Sequence, residues 1–199
     1  VLGTCPVEVI GDAFHEVVEE VAARTGVRMV ALRTSGLRLT SQREMLDWLY
    51  STLAAASPPT ATPSGIALFG LPGPRRGRPE PVAVLARAGF PVQACLPRGA
   101  HWSDWQGLRG AGRTVMVDRA MFPRLVTCLE SDGQAIIEVR QPIGLGPTFA
   151  LYTALDAALD ADGAVLGAIA GDHEAARAVV AAAREQLAGC RVGVAIRML

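Results

Sequence analysis

Short, continuously apolar runs alternate with longer segments of helical period along almost the whole chain, and this alternation restricts the fold more than any other feature. The runs are Arg28–Arg33, Gly65–Gly70, Pro91–Leu96, Arg113–Asp118, Ala135–Val139 and Cys190–Met198, each bounded by turn residues. A strand with one wet face alternates polar and apolar residues, whereas a run that is apolar throughout is covered on both faces. Between the runs, apolar residues return at every third or fourth position. Phe14, Val17, Val18, Val21 and Ala22 form one such stripe; Met45, Leu46, Leu49 and Leu53 form another; Phe122, Leu125, Val126 and Leu129 a third. Strands separated by helical crossovers lie parallel to their neighbours. The expected fold is α/β, with Rossmann-like parallel sheets and helices on both faces.

Punctuation divides the chain. Residues 57–64 carry Pro58, Pro59 and Pro63 among serines and threonines, the composition of a linker. Residues 1–57 then read as the end of a first Rossmann-like domain and 58–64 as the linker. Residues 65–188 read as a second Rossmann-like domain with long C-terminal helices, and 189–199 as the first strand of a third. The opening residues look like the last of a strand, and the final strand has no helix after it. The sequence is therefore expected to be a middle piece of a larger subunit. Local capping signals are Asp12 and Gly26 around the first helix, Thr40 or Ser41 before the second, and Asp172 before an alanine-rich helix reaching Leu187.

Charge and cysteine usage exclude several classes of function. The 19 basic residues, all arginine, balance 19 acidic ones, so neither a nucleic acid nor an anionic membrane is implied as partner. The absence of lysine removes Schiff-base and P-loop lysine chemistry from these residues. No apolar run is long enough to span a bilayer. Cys5, Cys95, Cys128 and Cys190 lack the short spacings of a zinc knuckle or a redox dithiol. Scattered thiols in a chain with a substantial core fit a reducing, cytoplasmic compartment rather than a disulfide frame.

Four stretches carry possible chemistry. Val1–Asp12 reads as a strand end, a tight turn with Cys5, and a helix start. Open α/β sheets place ligands at such carboxyl edges, and a nearby helix N-terminus favours the thiolate; the other reading is an inert core thiol. Leu71–Pro79 holds Arg75, Arg76 and Arg78 among glycines and prolines, either a phosphate loop or a solvated turn. Pro97–Trp105 lines a pocket or caps the next helix through Ser103 or Asp104. In Gln141–Thr148, Gly144 and Gly146 precede a helix start with Thr148. This is an anion-tolerant backbone pocket or a close strand–helix approach. The acidic cluster Glu8, Glu16, Glu19 and Glu20 reads as a solvated face.

The stretch Gly3-Thr4-Cys5-Pro6-Val7-Glu8-Val9-Ile10-Gly11-Asp12 resembles the cysteine motif of the nitrogenase component 1-like oxidoreductases. These include nitrogenase subunits, the protochlorophyllide and chlorophyllide reductases, and cofactor-assembly scaffolds. Leu96-Pro97-Arg98-Gly99-Ala100 with Asp104, Pro142-Ile143-Gly144 with Thr148, and Arg184–Val192 are similar to later segments of the same family, in the same order. The resemblance implies Cys5 as one metal ligand of an interface iron–sulfur cluster in the intact complex. It implies a homologous second subunit and an ATP-dependent iron protein as partners, and reduction of a substrate such as a tetrapyrrole. Gly144, Gly146 and Thr148 are carried as cofactor-binding candidates. The family's other cluster cysteines have no counterpart in these residues, and a cysteine-ligated four-iron cluster uses four, so the isolated piece is expected to hold none and to be inactive. The competing reading is a non-catalytic Rossmann-like scaffold or small-ligand module.

Overall fold

The computed structural model describes residues 2–3, 13–33, 41–59, 62–71 and 79–190. In chain order the elements are β1 (Leu2–Gly3), α1 (Phe14–Thr25), β2 (Leu32–Arg33), α2 (Gln42–Ala56), β3 (Ile66–Phe69), α3 (Glu80–Arg87), β4 (Val92–Leu96), α4 (Trp102–Gly110), β5 (Arg113–Val117), α5 (Pro123–Ser131), β6 (Ala135–Val139), α6 (Leu145–Ala158) and α7 (Ala164–Leu187), with a 3-10 turn at Arg119–Met121. Strands β1 and β2 pair in parallel, Leu2 opposite Leu32. The other four form one parallel sheet in the order β4-β3-β5-β6. The α/β architecture with a parallel sheet is thus as the sequence implies.

Side chains alternate across a strand, and β3 feeds two cores. Ile66 and Leu68 face one side, where α3, α6 and α7 bring Leu85, Leu151, Leu155 and Val165. Ala67 and Phe69 face the other, where α2, α4 and α5 bring Ala54, Leu108, Leu125 and Leu129. All four residues of β3 are buried. A central strand covered on both faces has no polar side to show, which is why its sequence is apolar without interruption.

The helix stripes hold unevenly. Phe122, Leu125, Val126 and Leu129 are all buried. On α1 only Val18 is, with Val17 and Val21 exposed, because the short β1–β2 pair covers little of that helix. Its C-terminus is as read: Gly26 sits at φ 67° and donates its N–H to Ala22 O at 3.0 Å, the left-handed stop glycine adopts freely.

Helix α2 begins as expected, with Ser41 Oγ accepting the Glu44 N–H at 3.1 Å. Its inward face differs from the sequence stripe. Asp47 and Ala54 are buried, and Tyr50 packs inward beside Leu46 and Leu53. Asp47 accepts the backbone N–H groups of Arg124 and Leu125, each at 3.1 Å. A carboxylate from one helix therefore caps the N-terminus of another, α5, whose first amides have no partner of their own. Asp47→Ala should lower unfolding free energy by about 1–3 kcal/mol by leaving those donors buried and unsatisfied. Urea denaturation reads this directly, and a loss below a few tenths of a kcal/mol would contradict the capping role.

One expectation is overturned at α7. Asp172 does not cap the alanine-rich helix; it lies inside it, because the helix runs from Ala164 through Gly167 and Gly171. The cap comes from the preceding helix. Asp156 accepts the N–H groups of Gly163 and Val165 at 3.0 Å each. The first turns bury Val165 and Ile169 against the sheet-facing core, and this packing carries the helix across two glycines that disfavour it locally.

Candidate functional site

The strand order fixes where the sheet has its topological switch point. From β3 the chain crosses to β4 on one side, and from β4 it returns past β3 to β5. The carboxyl ends of β3 and β5 therefore flank a topological switch point, where open α/β sheets bind their ligands. On one flank Gly70 follows β3 at φ 80° and donates its N–H to Leu96 O at 2.9 Å. On the other, Asp118 follows β5 at φ 52°, ψ 54°, a left-handed conformation uncommon outside glycine. Arg75, Arg76 and Arg78 lie outside the described residues.

The loop after β4 resolves as a cap. Asp104 Oδ2 accepts the His101 N–H at 2.7 Å. The residue at the capping position is thus His101, with Asp104 reaching back from the first turn. Trp105 turns into the core beside Tyr50, ring centroids 5.8 Å apart. Trp102 stays partly exposed under the Arg28 guanidinium, 5.8 Å from its centroid, and Arg28 also donates to Ala56 O. The two tryptophans bind elements together.

The turn after β6 is more open. Gly144 occupies the position before α6 at φ 86°, beyond easy reach of an L side chain. Its carbonyl accepts the Thr148 N–H at 3.1 Å. Thr148 Oγ1 donates to Pro142 O at 3.2 Å, so the hydroxyl holds the turn in place. The three residues named together from the sequence divide between two clefts. Gly146 borders a cleft of about 390 Å³ with Glu138, Arg140 and Pro147. Gly144 and Thr148 border another of about 290 Å³, with Glu80, Phe149, Tyr152, Asp172 and His173.

Tyr152 is the residue that sequence reading missed. It is 2% exposed, and its phenolic hydroxyl lies beside the Glu80 carboxylate without a hydrogen bond of normal length. Burial first, then the nearby Glu80 carboxylate, pushes its pKa well above the usual phenol range, so the hydroxyl keeps its proton at any physiological pH. The available signal was its spacing: Tyr152 lies three residues before Leu155, on the same inward stripe.

Residues 4–12, Cys5 and Asp12 among them, lie outside the described residues. Gly3, just upstream, is buried against α1; a Cβ there would come within 3.1 Å of the Phe14 ring. Glycine is thus fitted to a close strand–helix approach at the start of the motif. Cys95, Cys128 and Cys190 fall on β4, on α5 and after α7. Among the described residues, no three His, Cys, Asp or Glu side chains converge in a way that could hold a metal ion. Nor is any described helix long and apolar enough to cross a membrane.

Three comparisons bear on this geometry. The family model described as nitrogenase component 1 type oxidoreductase matches residues 1–197. Among solved structures, nitrogenase Cp1 at pH 6.5 and at pH 5 each superpose with a TM-score of 0.67 at 18% identity over 94% of this chain. At that identity they are similar in fold. The chain spans 36% and 37% of their lengths. A comparison with curated proteins gave no match. The parallel sheet, the order of its crossovers and a family match across nearly every residue converge: the chain belongs to the nitrogenase component 1 type oxidoreductases.

Proposed function

We propose that these residues form part of a nitrogenase-like reductase subunit that works in the cytoplasm with a homologous second subunit. It takes electrons from an ATP-dependent iron–sulfur protein through an interface cluster and reduces a substrate such as a tetrapyrrole. The observation that carries this reading is the family match from residue 1 to 197, which includes the Gly3–Asp12 motif. Proteins of this family generally bind iron–sulfur clusters and work with partner subunits.

The described residues do not fit a cluster on their own. Their cysteines are scattered over separate elements and no group of ligands converges, whereas a cysteine-ligated four-iron cluster uses four sulfurs. Cys5 is proposed as one ligand, the rest coming from outside these residues. The part played by the described chain is positional. Gly3 lets α1 pack close to β1, and the cross-helix cap from Asp47 and the Arg28 contacts hold the first helices onto the second sheet.

The test is the assembled complex carrying Cys5→Ala. Visible iron–sulfur absorption and bound iron should fall together, with subunit association monitored by gel filtration. Unchanged iron content would overturn the ligand role. The second reading, a small-ligand module, draws on the cleft beside Gly144 and Thr148. Thermal stabilisation by a nucleotide or tetrapyrrole without iron would favour it.

A further inference from the structure

Residues 57–64 have the composition of a linker, yet both ends of that stretch are held in place. Ser57 is 0% exposed. Its N–H goes to Ala54 O at 2.9 Å and its hydroxyl to Leu53 O at 3.3 Å, closing the last turn of α2. Helix α2 is itself docked on the four-stranded sheet through Ala54, the Asp47 cap on α5 and the Arg109 bond to Ala54 O. At the other end, Ser64 donates its N–H to Gly110 O at 2.9 Å. A Cβ on Gly112 would come within 3.2 Å of Pro63 O. Backbone packed that closely does not swing as a flexible tether does.

The chain before α2 is built differently. Among residues 13–32 the one buried residue is Val18, and β1 and β2 pair over two residues each. Helix α1 must order 12 residues against that small burial, although helices of such length draw most of their stability from a packed face. Arg28 reaches across to the larger body. It donates to Ala56 O at the end of α2, and its guanidinium lies 5.8 Å from the centroid of Trp102 at the start of α4.

We infer that the described chain folds as two bodies of unequal stability, divided between Arg33 and Ser41 and not at the proline-containing stretch, with Arg28 as the latch between them. Helix α2 opens together with β3, β5 and α5. Residues 13–33 open alone, when Arg28 leaves Ala56 and Trp102. Gly3 is paired with Arg33 and packed on Phe14, so the Gly3–Asp12 motif begins on the body that opens more readily. The inference stands on packing and is independent of the iron–sulfur reading.

The experiment is hydrogen–deuterium exchange of the full-length protein, followed by mass spectrometry. Protection of α2 should match that of β3 and β5 within about tenfold, and α1 should exchange at least about a hundredfold faster, as separately opening units do. Arg28→Ala should speed α1 exchange at least about tenfold, for loss of a charged donor and a cation–π contact, and leave α2 unchanged. Arg28 is exposed, so the variant keeps the larger body folded, which unchanged β3 protection confirms. Asp47→Ala should lower protection of α2, α5 and β3 by one common factor and leave α1 as it was. Exchange of α2 in step with α1, one common protection for both bodies, or α1 unaffected by Arg28→Ala would each overturn the inference. None of these outcomes reads iron, so the Cys5 experiment stands or fails separately.

Discussion

Asp132→Ala should cost about 3–5 kcal/mol of unfolding free energy, the range for breaking a buried ion pair from one side. The Arg109 and Asp132 side chains are only 8% and 10% exposed. Arg109 Nη2 donates to Asp132 Oδ1 at 2.8 Å, and its Nε faces the other carboxylate oxygen. Arg109 Nη1 donates to Ala54 O at 2.8 Å. One guanidinium therefore joins the end of α5, the end of α4 and the last turn of α2. Removing the carboxylate strands a cation in the interior, where little water reaches it. Replacing both partners, as Arg109→Met with Asp132→Leu, should recover part of the loss, because desolvation of both charges is then avoided. The recovery stays incomplete because the Ala54 carbonyl loses its donor. Urea denaturation of the two variants measures this. Equal losses in the single and double variants would show that packing, and not the stranded charge, dominates. The same pair acts on Cys128, whose thiol is pushed up mainly by burial, lowered by Arg109 and raised by Asp132. Losing Asp132 should make that thiol more acidic and quicker to react with a disulfide reagent.

Phe69→Ala should cost about 3–5 kcal/mol, as large-to-small changes at fully buried aromatics do. Phe69 is 0% exposed on the central strand. It meets Phe122 edge-on at 5.2 Å and 77°, and Tyr50 edge-on at 5.5 Å and 77°. Tyr50 in turn lies against Phe122 and Trp105, each at 5.8 Å. The ring cluster is what seats α2 on the sheet, so the cavity should loosen that helix first. Trp105 emission should shift to the red before global unfolding in denaturant. Phe149→Ala, at a partly exposed ring on the other face, should stay near 0.5 kcal/mol. Comparable losses at the two sites would mean that the cluster contributes no more than surface contacts do.

The elements were legible where a local rule and the tertiary packing agree. β6 spans Ala135–Val139 as its composition implies, and Gly26, Ser41 and Pro123 stand at helix ends for reasons that act within one turn. The inward residues of α5 were readable because Phe122, Leu125, Val126 and Leu129 keep helical spacing and all are buried. Reading failed where a residue takes its role from a distant segment. Asp47 looks like a polar position on a helix, and only the arrival of α5 makes it a cap. Asp172 has the composition of a cap, yet Asp156 already supplies one upstream. Gly144, Gly146 and Thr148 are neighbours in sequence but border two clefts, because a helix start turns about 100° per residue.

The sequence by itself determined the α/β class, the parallel sheet and the family. Apolar runs separated by segments of helical period fit such a sheet, whose central strand is buried on both faces, and the ordered segments from Gly3 to Val192 carry the resemblance to the family. Tertiary structure alone decided the strand order, and with it the switch point between β3 and β5. It alone bound α2 to the second sheet through Asp47, Arg109 and the ring cluster, and gathered Glu80, Tyr152 and His173 around one cleft. Periodicity records which face of an element is buried, whereas a partner dozens of residues away leaves no trace in it until the chain has folded.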